Sequence, residues 1–217
     1  MQNRLGPGFI RPELVPETVA ATAHRQTLRQ AGRLSRLDIV RAKIPFPAPS
    51  TLLDPNGDTR VASELLFDIK GIDLNAVVVS PEEVGKVLLQ QGDMRHLDWI
   101  SWMNDDFSRA IGVKDVRSDE FWVPGHIPGR PLLPGVLMIE AGAQLCSYLQ
   151  QMKLGPGGFL AFTHCTDCSF RGVVVPGDRL HMLAIEVERN RRRFISKVQA
   201  IVGEKFVFEA TITGMRI

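Results

Sequence analysis

A chain of 217 residues with 44% hydrophobic and 23% charged content has the composition of an ordinary globular protein, enough for one domain plus an appendage. A formal net charge of +2 gives no reason to expect nucleic acid or a membrane surface as partner. Three cysteines, Cys146, Cys165 and Cys168, are too few and too unevenly spaced for a disulfide framework, which points to a reducing compartment.

Residues 1–60 read as a basic, Pro-containing extension and residues 61–217 as the folded domain. The first 50 residues carry eight Lys/Arg against three acids, and Arg41–Ser50, RAKIPFPAPS, is punctuated by proline. The opening MQNRLGPGFIRPELVPE has no apolar core of signal-peptide length, so a cytoplasmic location is expected. The extension has no aromatic or motif-like feature that would suit nucleic acid.

From Leu65 onward the pattern becomes that of a fold. Ser80–Gln91, SPEEVGKVLLQQ, predicts a short helix, with Ser80 as N-cap, Pro81 in the first helical position and Glu82 and Glu83 in the first turn. Asp98–Val116 predicts a hairpin turning at Asn104-Asp105-Asp106. Pro134–Gln150 predicts a long helix with apolar residues on nearly every side, hence a buried one. Its apolar run is a poor membrane span, because it holds Glu140 and Gln144 and begins with two prolines in four residues, Pro131 and Pro134. Strands follow at Phe159–Phe170, Asp178–Arg189, Phe194–Ile201 and Lys205–Thr213. One buried helix followed by hairpin-spaced strands predicts α+β architecture, an antiparallel sheet wrapped round a long central helix at about 134–150. A single layer of sheet over one helix leaves a face or an edge in need of cover, so a dimer is expected.

The chemistry concentrates in VPGHIPGRPLLPGVLMIEAGAQL, Val123–Leu145, which keeps only three ionisable side chains, His126, Arg130 and Glu140. A carboxylate in a buried helix is costly unless it is paired, hydrogen-bonded or neutral, so Glu140 is a candidate general acid. Gln144 lies one turn on, where its amide can orient that carboxyl. His126 lies in a loop bounded by Gly and Pro and is a candidate base. Gly135 opens the helix, where a backbone N–H lacks an intrahelical partner and suits a polarised carbonyl oxygen. These parts fit removal of a proton alpha to a carbonyl with loss of a beta hydroxyl. By residue type alone, a solitary loop histidine is more often structural than catalytic. The C-x-x-C of Cys165 and Cys168 has no second ligand pair and reads as structural.

GHIPGRPLLPGVLMIEAGAQ, Gly125–Gln144, resembles the motif of the FabZ-type 3-hydroxyacyl-[acyl carrier protein] dehydratases, hot-dog-fold enzymes of type II fatty acid synthesis. FRGVVVPGDRL, Phe170–Leu180, and the ending Gly203–Ile217 are similar as well, so the resemblance spans about residues 80–217. It implies that His126 acts at the alpha carbon, that Glu140 protonates the departing hydroxyl, that the Gly135 N–H holds the thioester oxygen and that Gln144 orients Glu140. It further implies acyl carrier protein as partner, no metal or organic cofactor, and a dimer pairing the His of one protomer with the Glu of the other, sometimes assembled as a trimer of dimers. Glu at 140 resembles the dehydratase-only branch. Ile127, Pro124 and Trp122 depart from the family's usual residues, which bears on acyl-chain preference. Arg189, Arg191, Arg192 and Arg193 form a hairpin tip that reads either as a solvated turn or as a contact for an acidic carrier and its phosphopantetheine phosphate. Two other readings stay open: a different hot-dog thioester enzyme (a CoA-thioester hydratase or a thioesterase), and a non-catalytic acyl-carrier-binding subunit.

Overall fold

A computed structural model describes residues 65–155 and 158–217; the expected extension at 1–60 lies outside them. The first helix, α1 (Pro81–Val87), starts as the sequence dictates. The Ser80 hydroxyl accepts the Glu83 N–H at 3.2 Å and the Glu83 carboxylate accepts the Ser80 N–H at 2.8 Å, a reciprocal capping box. It ends at Val87 rather than Gln91, since Leu88 turns extended. A single turn of 3₁₀ helix at Gly92–Met94 leads into β1 (Trp99–Met103) and β2 (Arg109–Asp115). The hairpin turns at the expected Asn104, whose side-chain oxygen accepts the Arg109 N–H at 2.9 Å.

The long helix, α2, runs Gly135–Leu154. Pro134 is its N-cap rather than its first helical residue, and the helix continues four residues beyond Gln150 until Gly155, at φ 76, stops it. The strands β3 (Leu160–Phe170), β4 (Arg179–Arg189), β5 (Arg193–Val202) and β6 (Lys205–Arg216) fall close to their expected places. All pair antiparallel in the order β1-β2-β4-β5-β6-β3, which leaves β1 and β3 at the edges.

The inner face of this sheet wraps α2, which packs against β2 through β6. Leu137, Met138, Ala141, Leu145, Cys146 and Leu149 of the helix meet Ala110, Leu180, Met182, Ala184, Val198 and Ile212 of the strands. Each fully buried large side chain contributes about 1.5–3 kcal/mol. Gly142 lets the helix approach closely, since a Cβ there would meet Val198 at 3.1 Å. The helix is not buried on every side: Val136 is 67% exposed and Ile139, Glu140 and Ala143 are half-buried. The described residues form a single sheet, and one side of α2 is left uncovered by them.

The outer face is not bare either. Phe67 and the flanking Leu65, Leu66, Ile69, Ile72 and Leu74 pack on Ile111, Leu183 and Ile201, with Phe67 and Trp102 rings 5.5 Å apart. Among the described residues no helix is long and apolar enough to cross a membrane.

The buried His96 makes the core sensitive to acid. His96 is 1% exposed and neither ring nitrogen has a hydrogen-bond partner among the described residues. Burial, reinforced by the nearby Lys114 ammonium, pushes its pKa down to about 4, against a partial offset from Glu120 and Asp93. The unfolded chain therefore binds more protons than the folded one between the folded value and the ordinary 6.5. This part of the stability is complete above the unfolded pKa and is lost as pH falls through the folded pKa. Acidification from neutrality to about pH 4 is expected to remove on the order of 2–3 kcal/mol through this group. Urea titrations of wild type and His96→Phe across that range check it: the variant's stability should depend less steeply on pH.

Candidate active site

Residues 116–134 connect β2 to α2 without regular structure, and His126 is exposed within them. Its N–H donates to the Trp122 carbonyl at 2.8 Å, and its Nδ1 lies 2.9 Å from the Leu132 carbonyl oxygen. A carbonyl only accepts, so the proton of that bond is on Nδ1. The neutral ring then keeps the lone pair of Nε2 for chemistry. Leu133 N–H donates to Val174 O at 2.8 Å, tying the loop to the segment after β3. That segment is itself fixed by the turn Val175–Asp178, where the Asp178 carboxylate accepts the Val175 N–H at 2.9 Å and Gly177 sits at φ 97.

His126 borders a groove of about 320 Å³, shared with Leu132, Gly135, Val136, Met138, Phe170 and Val173. Val136, Phe170 and Val173 are 67%, 51% and 59% exposed, so the groove offers apolar walls beside an imidazole. Gly135 lies at the start of α2, where backbone N–H groups have no partner within the helix. The Phe170 ring closes over it: a Cβ at Gly135 would come within 2.7 Å of that ring. Gly135→Ala is therefore expected to displace Phe170 and narrow the groove while costing only about 1 kcal/mol of stability, because the half-exposed ring can swing outward. Steady-state rates and melting curves check this. Adding Phe170→Ala to the same variant should recover most of the lost rate, as a double-mutant cycle reads contact.

Glu140 is half-buried, not enclosed, and does not line the His126 groove. Its Oε1 accepts Gln144 Nε2 at 2.8 Å, the i,i+4 contact expected from the sequence, and Gln90 Nε2 at 3.4 Å. Gln144 is fully buried; its Nε2 also donates to Met94 O at 2.7 Å, and its Oε1 accepts the His96 N–H at 2.8 Å. Gln90 and the 94–96 segment had no signal in the sequence, lying about fifty positions away with nothing in their spacing to mark them.

The arginine tip is partly paired. Arg193 meets Glu188 at 2.9 Å and Arg189 lies 3.8 Å from Glu186. The side chains of Arg191 and Arg192 form no ion pair with a described residue, and none of the four lines the groove. Cys165 and Cys168 are free thiols on edge strand β3, on either side of a bulge at Asp167, φ 50. Among the described residues no group of three or more His, Cys, Asp or Glu is placed to hold a metal ion. Of the departures noted in the motif, Trp122 is buried with its indole N–H donated to Glu120 at 3.1 Å, whereas Pro124 and Ile127 are exposed. A larger hollow of about 750 Å³ on the sheet's outer face, bordered by Leu66, Lys197 and Glu209, holds none of the expected site residues.

A six-stranded antiparallel sheet wrapped round one long helix is the hot-dog fold. Among solved structures the dehydratase heterocomplex ApeI:P from Xenorhabdus doucetiae shares it, with a TM-score of 0.53 at 12% identity over 62% of this chain and 90% of that one. The chain belongs to the FabA-like domain family, which matches residues 88–211. Within it, the chain is of the FabZ type. It is 41% identical over 112 residues, 48% of its length and 72% of the relative's, to the 3-hydroxyacyl-[acyl-carrier-protein] dehydratase FabZ of Alkaliphilus metalliredigens. It is 36% identical over 136 residues, 62% of its length and 88% of the relative's, to the enzyme of the same name from Agrobacterium fabrum.

Proposed function

We propose that the chain dehydrates (3R)-3-hydroxyacyl thioesters carried on acyl carrier protein to trans-2-enoyl thioesters, a hydro-lyase step of type II fatty acid synthesis in the cytoplasm. The carrying observation is an imidazole held by its Nδ1 proton, with Nε2 left as acceptor, beside an apolar groove at the start of the helix that bears Glu140. In this reading Nε2 of His126 removes the alpha proton. The carbonyl oxygen gains negative charge and is stabilised by the Gly135 N–H and the helix dipole. The alpha–beta double bond forms as the beta C–O bond breaks, and Glu140, oriented by Gln144, acts as the acid that gives a proton to the departing hydroxyl, which leaves as water. The apolar walls take the acyl chain, and Arg191 and Arg192 meet the acidic carrier or its phosphate.

The reading includes a dimer, with trimers of dimers as a further assembly. Its support is an eleven-residue strand, β3, at the sheet edge, together with an acid that stands outside its own chain's groove. Unpaired strand edges favour association with a second chain. The test follows enoyl absorbance and free thiol in parallel, with 3-hydroxyacyl and enoyl groups on both acyl carrier protein and coenzyme A. Enoyl formation and rehydration on the carrier protein, without thiol release, are expected. Thiol release would make the chain a thioesterase, and turnover confined to coenzyme A a CoA-thioester hydratase.

A further inference from the structure

We propose that Glu120, held between Lys114 and Trp122, is a positioning residue that fixes the loop bearing His126; the inference rests on the proposed role of His126. Between Arg117 and Leu132 only Glu120 and Trp122 are buried, while Pro124 to Arg130 are exposed. The loop is therefore anchored at those two side chains. Glu120 Oε2 accepts Lys114 Nζ at 2.9 Å and the Trp122 indole N–H at 3.1 Å; Oε1 accepts the Arg117 N–H at 2.8 Å. The Lys114 and Glu120 side chains are 3% and 6% exposed. Burial alone would raise the Glu120 pKa, but these donors outweigh it and hold the carboxyl below its usual range.

From this anchor the connection to the imidazole is short. The Glu120 carbonyl accepts the Val123 N–H at 3.0 Å, and the Trp122 carbonyl accepts the N–H groups of Gly125 at 3.2 Å and His126 at 2.8 Å. Lys114 itself is fixed in β2, paired with Leu180 of β4. Strand β2 thus reaches the His126 backbone through one ion pair, one indole and one carbonyl. The attraction between Lys114 and Glu120 does not by itself account for the arrangement, because replacing both members of a buried ion pair by apolar residues is often neutral or stabilising. Geometry does: Oε2 holds two directed donors from different elements, and apolar side chains reproduce neither. A displacement of a catalytic group by 1 Å costs up to about 10²-fold in rate.

The experiment compares wild type with Lys114→Met/Glu120→Leu and with Trp122→Phe, measuring kcat, KM and Tm on a crotonyl carrier-protein substrate. The double variant is expected to melt below wild type, because the Arg117 N–H and the Trp122 indole N–H lose their acceptor. Assayed well below its melting range, it should lose about ten-fold or more in kcat with KM changed less than about two-fold. Trp122→Phe, which removes the indole donor together with part of a buried ring, should lose about three- to ten-fold in kcat. Folded variants with wild-type kcat would show the cluster to be structural only and overturn the inference. If the double variant does not fold, Trp122→Phe decides alone. An inactive wild type instead overturns the proposed function itself, so the two failures are separable.

Discussion

Replacing His126 by alanine is expected to lower the dehydration rate by about 10²–10⁴-fold, the range that a positioned acid or base supplies. The fold should be nearly untouched, because the imidazole is exposed and its side chain makes a single hydrogen bond, to Leu132 O. Glu140→Gln should cost a comparable factor for a different reason. The amide keeps the shape and an acceptor for Gln144, but it has no proton to give at neutral pH. KM should change little in either variant, since the groove's apolar walls remain. Initial rates of enoyl formation with matched melting curves check both. A Glu140→Gln enzyme with wild-type kcat would remove Glu140 from the acid's role while leaving the fold assignment intact.

Gln144→Leu should have the largest effect on stability. The side chain is fully buried and satisfies the His96 N–H, the Met94 carbonyl and the Glu140 carboxylate at once. Leucine fills the volume and leaves the two backbone groups without partners, at about 1–3 kcal/mol each. Burying the extra methyl groups offsets part of that, so a net loss of about 3 kcal/mol is expected, or roughly ten degrees in Tm for a domain of this size. Activity measured well below the melting range should also fall, because Glu140 loses its nearest orienting donor. Calorimetry or a thermal melt beside the rate assay separates the two effects. A stable Gln144→Leu with full activity would mean that Gln90, at 3.4 Å from the same oxygen, is sufficient to hold the carboxylate.

What could be read in the chain was whatever local periodicity controls. The i,i+4 spacing of Glu140 and Gln144 on a helix gives their contact directly, and Asn104-Asp105-Asp106 marks a hairpin because the Asn104 and Asp106 side chains cap their own turn. The helix start at Ser80-Pro81 follows from capping chemistry in the same way. What could not be read is what the fold brings together across long separations. Lys114 and Glu120 look like solvated charges in sequence, yet the fold buries both. The 65–74 segment carries too irregular a pattern to declare that it covers the outer sheet face. The full burial expected for Glu140 did not follow either: α2 carries apolar residues nearly all round, yet the described residues cover only part of it, leaving Val136 exposed and Ile139, Glu140 and Ala143 half-buried.

The most direct test mixes two inactive proteins. Pairing His126→Ala with Glu140→Gln in one dimer leaves one site with both defects and one with both groups intact, provided each site draws its base and its acid from different chains. Co-refolding equal amounts should restore about a quarter of wild-type turnover, since half of randomly formed dimers are mixed and each has one good site. Verified mixed dimers that stay as inactive as their parents, beside an active wild type, would contradict a base and an acid shared between two copies of the chain.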